Sequence, residues 1–161
     1  MIRILFICHG NICRSPMAEF VMKDLVRKAG LEGRFEIASA ATTTEEIWGG
    51  RGNPVYPPAR KKLAEHGISC EGKRARLTTR SDYAKYDLLI GMDEENKWDM
   101  RRIYGGDPDG KVKNLLDYAG RTSQEVADPW YTGDFEATWR DVLEGCTGLL
   151  ETLKLKGLVA V

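Results

Sequence analysis

An apolar run from Ile2 to Ile7, broken only by Arg3, leads straight into Cys8-His9-Gly10-Asn11-Ile12-Cys13-Arg14-Ser15-Pro16 and then into residues of helical periodicity. This junction constrains the fold more than any other stretch of the chain. The apolar run reads as a strand, and Pro16 suits a first helical turn because it has no N–H to lose. The intervening loop therefore crowns a helix N-terminus, where unpaired backbone N–H groups and the positive end of the helix dipole favour an anion. Gly10 lets the backbone curl closely around such a ligand. Cys8 and Arg14, six apart, put a thiol and a guanidinium into the same field. Thiols at helix N-termini beside cations ionise early, with pKa values of roughly 3.5 to 7.5, so a thiolate nucleophile is expected. Arg14 supplies a planar fork for two phosphate oxygens, and His9, Gly10, Asn11, Ile12 and Cys13 complete the expected phosphate-binding loop. A cysteine ending a buried strand is by itself only a small core hydrophobe. It is the joint pattern that points to phosphate chemistry. The chain has no G-x-x-x-x-G-K-[ST] and no Gly-rich dinucleotide turn after its first strand, so nucleotide binding is not implied.

With 161 residues the chain suits a single domain, 1–161, with one core that needs neither disulfides nor metals. Lys plus Arg and Asp plus Glu stand at 24 each, so no net charge steers the protein towards nucleic acid or anionic lipid. Cys8, Cys13, Cys70 and Cys146 form no C-x-x-C pair, which argues against a zinc ribbon or a disulfide framework and fits a reducing cytoplasm. At the N-terminus only Ile4 to Cys8 is unbroken apolar sequence, too short for a signal peptide core or a membrane span. The expectation is a cytoplasmic protein, monomer or weak dimer, with no membrane and no nucleic-acid partner.

Met17, Phe20, Val21, Leu25 and Val26 recur at helical spacing and predict a helix from Pro16 to Ala29. Phe35 to Ala41 reads as a second strand, Thr42 to Tyr56 as a long loop and Pro57 to His66 as a helix stopped by Gly67. Tyr86 to Met92 suits a buried strand, Asp93 to Tyr104 a helix, Val112 to Leu116 a fourth strand and Phe135 to Leu155 the last helix. Alternating strands and helices give an α/β fold: a small doubly wound four-stranded parallel sheet with helices on both faces. Its phosphate-binding loop follows the first strand, at the carboxyl end where such sheets bind ligands. The runs Lys73-Arg74 with Arg76, and Arg60-Lys61-Lys62, read as solvated faces.

The run from Cys8 to Pro16, together with Ala127-Asp128-Pro129-Trp130-Tyr131 near the far end, resembles the low-molecular-weight protein-tyrosine phosphatases. Ser39-Ala40-Ala41-Thr42, Glu65-His66-Gly67-Ile68, Tyr86-Asp87-Leu88 and Met92-Asp93-Glu94-Glu95-Asn96 lie in the family's order, so the likeness spans nearly the whole chain. The resemblance implies a metal-independent phosphomonoester hydrolase without cofactors, acting on a phosphotyrosine-containing protein or a small aryl phosphate through a cysteinyl phosphate. It places the nucleophile on Cys8, the phosphate clamp on Arg14 and the general acid on Asp128. It also makes Ser15 the hydroxyl that hydrogen-bonds the thiolate, and Asn11 with Ser39 the pair that holds the loop's shape. It suggests that Cys8 and Cys13 form a reversible disulfide under oxidant. The residues agree with the role of Asp128, since a departing phenolate gains from protonation and the same carboxylate can then activate water.

Two departures from the family's pattern stand out. The segment Thr43 to Gly52 is longer than usual, which leaves Trp48 as the candidate aromatic wall of the pocket, with Trp130 and Tyr131 as its rim. Where the family often has a histidine bonded to the loop, this chain has Lys73, which donates but cannot accept. The network around Asn11 is therefore expected to be rearranged or absent. Two rival activities share the scaffold. Arsenate reductases relay electrons through further cysteines in mid-chain, and residues from Glu71 to Lys113 include none. A phosphoarginine phosphatase branch resembles this loop except for a threonine where Ile12 stands.

Overall fold

The computed structural model describes residues 1–157; residues 158–161, the tail of the expected 1–161 domain, lie outside the described residues. In chain order the main elements are β1 (Ile2–Cys8), α1 (Arg14–Lys28), β2 (Phe35–Ala41), a hairpin of β3 (Ile47–Trp48) and β4 (Arg51–Gly52), and α2 (Pro57–Glu65). They continue with α3 (Asp82–Lys85), β5 (Leu88–Gly91), α4 (Glu94–Tyr104), β6 (Val112–Asn114), α5 (Pro129–Thr132) and α6 (Phe135–Leu155). Four strands form one sheet in the order β2-β1-β5-β6, and every pairing within it is parallel.

Alternation along β1 assigns its side chains to two cores. Ile4, Phe6 and Cys8 face the layer that holds Met17, Val21 and Leu149, from α1 and α6. Leu5 and Ile7 face Tyr86, Met100 and Tyr104, so that α4 covers the opposite side. A strand buried on both faces must be apolar throughout, which is why β1 reads as one run. The chain moves to one side of β1 for β2 and to the other for β5 and β6, which puts the carboxyl end of β1 at the reversal point of the strand order. Cys8 is the last residue of that strand.

Three expectations about elements change. The stretch Thr42 to Tyr56 is not all loop: it contains the β3–β4 hairpin, whose turn residues Gly49 and Gly50 have φ of 57° and 78°. Two left-handed residues in a row are what a tight hairpin turn of this hand requires, and glycine adopts them without strain. The fourth strand ends at Asn114, and residues Leu115–Ala119 turn into a 3₁₀ helix. It packs closely against α6, where a Cβ on Gly148 would run into the Tyr118 carbonyl oxygen. The strand expected from Tyr86 to Met92 is confined to Leu88–Gly91. No helix among the described residues is long and apolar enough to cross a membrane.

Candidate active site

Between the end of β1 and the start of α1 the chain wraps around one end of a cavity of about 640 Å³, lined by residues 8–14. The left-handed residue of the loop is Asn11, with φ of 60°, rather than Gly10. Gly10 supplies room instead: a Cβ there would approach Glu46 Cγ to 3.2 Å. Asparagine is among the few side-chain-bearing residues that tolerate this backbone, and here its buried amide also ties the loop together.

The Arg76 backbone N–H donates to Asn11 Oδ1 at 3.1 Å, which fixes the orientation of the amide. Its two N–H groups then point at two hydroxyls, Ser15 Oγ at 2.8 Å and Ser39 Oγ at 2.9 Å. Because Ser15 Oγ accepts from Asn11, its own hydrogen is free to donate to Cys8 Sγ, 3.0 Å away. The Asn11 backbone N–H also points at Sγ, at 3.3 Å. Two donors converging on one sulfur suit a thiolate, which accepts and has nothing to donate.

The network ends on a residue that the sequence did not single out. Ser39 Oγ donates to Glu19 Oε1 at 2.6 Å, and Glu19, from α1, is only 4% exposed. Lys73 Nζ donates to the Ser39 carbonyl at 2.8 Å and lies 3.4 Å from Glu19 Oε1, while Lys23 Nζ reaches Glu19 Oε2 at 2.6 Å. So the network around Asn11 is present: Lys73 only donates, and the acceptor at its end is the Glu19 carboxylate. Burial pulls the Lys73 ammonium below its ordinary pKa despite the opposing pull of Glu19.

Arg14, 4% exposed, connects this loop to the far end of the chain. Its Nη1 donates to Asp93 Oδ2 at 2.9 Å and to the Val126 carbonyl at 3.2 Å, and its Nη2 lies 3.4 Å from Asp128 Oδ2. Burial works against the guanidinium charge, but Cys8, Asp93 and Asp128 more than offset it and hold the pKa above its ordinary value. Asp93 caps α4, accepting the Asn96 N–H at 2.8 Å, and Asp128 caps α5, accepting the Trp130 N–H at 3.0 Å. The loop that carries Asp128 is pinned on both sides. The Val126 N–H donates to the Met92 carbonyl at 2.9 Å, the Ala127 N–H to Asp141 at 2.9 Å, and Thr138 Oγ1 to the Ala127 carbonyl at 2.7 Å.

Cys13 also lines the cavity, but burial first, and then the charges of Cys8 and Asp128, push its thiol up to about 12. It is a protonated thiol at neutral pH. All four cysteines among the described residues are free. His9 points its ring at Glu45, Nε2 to Oε2 2.9 Å, and so faces the mouth of the cavity. Trp130 and Tyr131 line the cavity and are 64% and 86% exposed. Trp48 does not reach the cavity: it sits 73% exposed on the β3–β4 hairpin, and Glu45 and Glu46 line the wall expected for it.

Residues 3–158 match the family model of the low molecular weight phosphotyrosine protein phosphatases. The chain belongs to that family. It is 39% identical over 155 residues to the low molecular weight protein-tyrosine-phosphatase YfkJ of Bacillus subtilis, covering 96% of this chain and 97% of that one. The low molecular weight phosphotyrosine protein phosphatase of Rattus norvegicus is 36% identical over 152 residues, 92% of this chain and 93% of its own. The crystal structure of YfkJ superposes with a TM-score of 0.90 at 38% identity, covering 97% of this chain and 96% of that chain. Within this phosphatase family frame Asp93 and Glu19 are the site residues that sequence reasoning left without a role. For Asp93 a signal existed, an aspartate directly before a helical pattern. Glu19 offered none, because a glutamate four residues before a lysine on a helix reads as a solvated ion pair.

Proposed function

We propose that the protein is a cysteine-dependent protein-tyrosine phosphatase that hydrolyses phosphotyrosine and aryl phosphates through a cysteinyl phosphate. The observation that carries this reading is the meeting, in one cavity, of a sulfur with two hydrogen bonds directed at it, a buried guanidinium and a carboxylate from the far end of the chain.

The Cys8 thiolate attacks phosphorus, forming the S–P bond as the P–O bond to the phenol breaks. Arg14 and the other N–H groups of the loop, those of residues 9, 10 and 12–14, hold the equatorial oxygens as charge moves onto them. Asp128, protonated at this point, gives its proton to the departing phenolate, and its carboxylate then takes a proton from the water that attacks the cysteinyl phosphate. The second step releases inorganic phosphate and returns Cys8 as a thiolate, which leaves readily because the Ser15 hydroxyl and the Asn11 N–H stabilise the charge that reappears on sulfur. The scattered cysteines, with no C-x-x-C pair, support a reducing cytoplasm as the setting, and the family match supports a phosphotyrosine-containing protein as the partner.

The test is turnover by the purified protein of matched phosphotyrosine, phosphoserine and phosphoarginine peptides, with Cys8→Ser as control. The phosphotyrosine peptide is expected to be cleaved with the highest kcat/KM, and Cys8→Ser to abolish cleavage, since a serine hydroxyl in this loop stays protonated. A preference for the phosphoarginine peptide would move the protein to that branch of the family. Substantial turnover by Cys8→Ser would rule out covalent catalysis at this residue.

A further inference from the structure

The mouth of the cavity carries charges that its floor does not call for. Among the described lining residues Arg14 is the only lysine or arginine, and Asp93 and Asp128 already face it at 2.9 and 3.4 Å. Four more carboxylates line the same space: Glu45, Glu46, Glu95 and Glu125. Glu45 faces His9 at 2.9 Å. The other three have no lysine or arginine within ion-pair distance among the described residues. Glu46 accepts from the neutral Asn53 amide at 3.0 Å, and Glu125 from the Glu94 backbone N–H at 2.9 Å. Near a receptor for a phosphate dianion, unmatched carboxylates cost affinity unless the substrate brings cations of its own.

Three features indicate that the substrate does so. The cavity is larger than a phenyl phosphate needs, which leaves room for the residues beside the phosphotyrosine. Glu46 stands on the wall over Gly10, whereas Glu95 and Glu125 come from the segments that carry Asp93 and Asp128, so the charges flank the anchor from both sides. Trp130 and Tyr131, mostly exposed at the rim, offer faces on which lysine or arginine side chains can lie. Glu95 also has a structural use, since a carboxylate in the first turn of α4 suits the helix dipole. Glu46 lies on no helix and has no such use, and it is therefore the discriminating residue.

We propose that Glu46, with Glu95 and Glu125, makes the site selective for phosphotyrosine segments with lysine or arginine close to the phosphotyrosine. This rests on the phosphatase reading above. The experiment measures kcat/KM for three phosphotyrosine peptides that differ only in lysine, alanine or glutamate flanks, with p-nitrophenyl phosphate alongside. The readout is the ratio of lysine-flanked to glutamate-flanked kcat/KM within one preparation, which cancels any loss of folded protein in a variant. The wild-type ratio is expected to be about tenfold at low ionic strength and to shrink as salt is added. Glu46→Gln should lower it about threefold, and Glu46→Gln with Glu95→Gln further. A wild-type ratio near one, or a ratio that neither variant changes, overturns the proposal while the phosphatase reading stands. Hydrolysis of none of the peptides and none of the p-nitrophenyl phosphate overturns both.

Discussion

Asn11 combines a backbone demand with a side-chain demand, and two substitutions separate them. Asn11→Ala removes two donated hydrogen bonds and one accepted bond, all buried, and leaves the Arg76 N–H without its acceptor. At about 0.5–1.5 kcal/mol net for each bond the loss is about 1.5–4.5 kcal/mol. Alanine at φ of 60° adds about 1–2 kcal/mol of backbone strain. Asn11→Gly loses the same bonds without the strain, although its larger unfolded-state entropy takes back about 0.5–1 kcal/mol. Glycine should therefore be the more stable variant by about 0.5–1 kcal/mol in urea unfolding. Both variants should share one catalytic defect, because neither holds the Ser15 hydroxyl towards Cys8. A weakened charged hydrogen bond in this range corresponds to about a tenfold fall in kcat on an aryl phosphate. Equal stability of the two variants would refute the backbone argument. Wild-type kcat in either would show that the amide does not position Ser15.

Asp128→Ala should slow hydrolysis of phenyl phosphate by about 10²- to 10⁴-fold, and that of an ester with a strongly acidic leaving group far less; equal slowing of both would reduce Asp128 to its capping role on α5. Iodoacetate at pH 7 should carboxymethylate Cys8, with protection by inorganic phosphate, and spare Cys13, whose thiol burial pushes up to about 12; peptide mass analysis that found Cys13 labelled first would contradict this assignment. Asp82 is held below its ordinary pKa because, although burial opposes it, the Thr79 N–H, Arg76 and Thr78 more than offset that cost. Its contribution to stability is then present above the unfolded carboxylate value of about 3.9 and is lost as pH falls through the lower folded value. Asp82→Asn should thus reduce stability at pH 7 and flatten its decline in acid, as measured by urea unfolding at pH 7 and pH 3.

How much of this was legible depended on whether the signal was local. Phe35–Ala41 and Phe135–Leu155 appear with the boundaries read from the sequence, because the first is a short, mostly apolar stretch and the second a long 3.6-residue repeat, each with turn residues at its ends. The β3–β4 hairpin escaped notice because strands of two residues cannot display a period. That Cys8 and Arg14 would meet at one cavity could be read because both lie within one loop. Glu19 could not: what buries it is Ser39 and Lys73, which arrive from β2 and from the segment after α2. Trp48 failed for a related reason, since an aromatic residue in a long insertion gives no indication of which way its hairpin will turn it.

The contacts of Arg14 explain how Cys8 and Asp128, 120 residues apart, come to line one cavity. A guanidinium has five N–H donors in one plane, so fixing one nitrogen fixes the direction of the rest. Nη1 is held by Asp93, the residue that caps α4 just after β5, and by the Val126 carbonyl, in the pinned loop before Asp128. Among the described residues nothing accepts from Nε, and the only carboxylate within ion-pair distance of Nη2 is Asp128, at a longer 3.4 Å. The edge formed by Nε and Nη2 is thus the edge available for two phosphate oxygens, and it is oriented before any phosphate arrives. The same plane sets where Asp128 stands relative to that edge. An ammonium in place of Arg14 could satisfy Asp93 or a phosphate, but it has no plane with which to align the two.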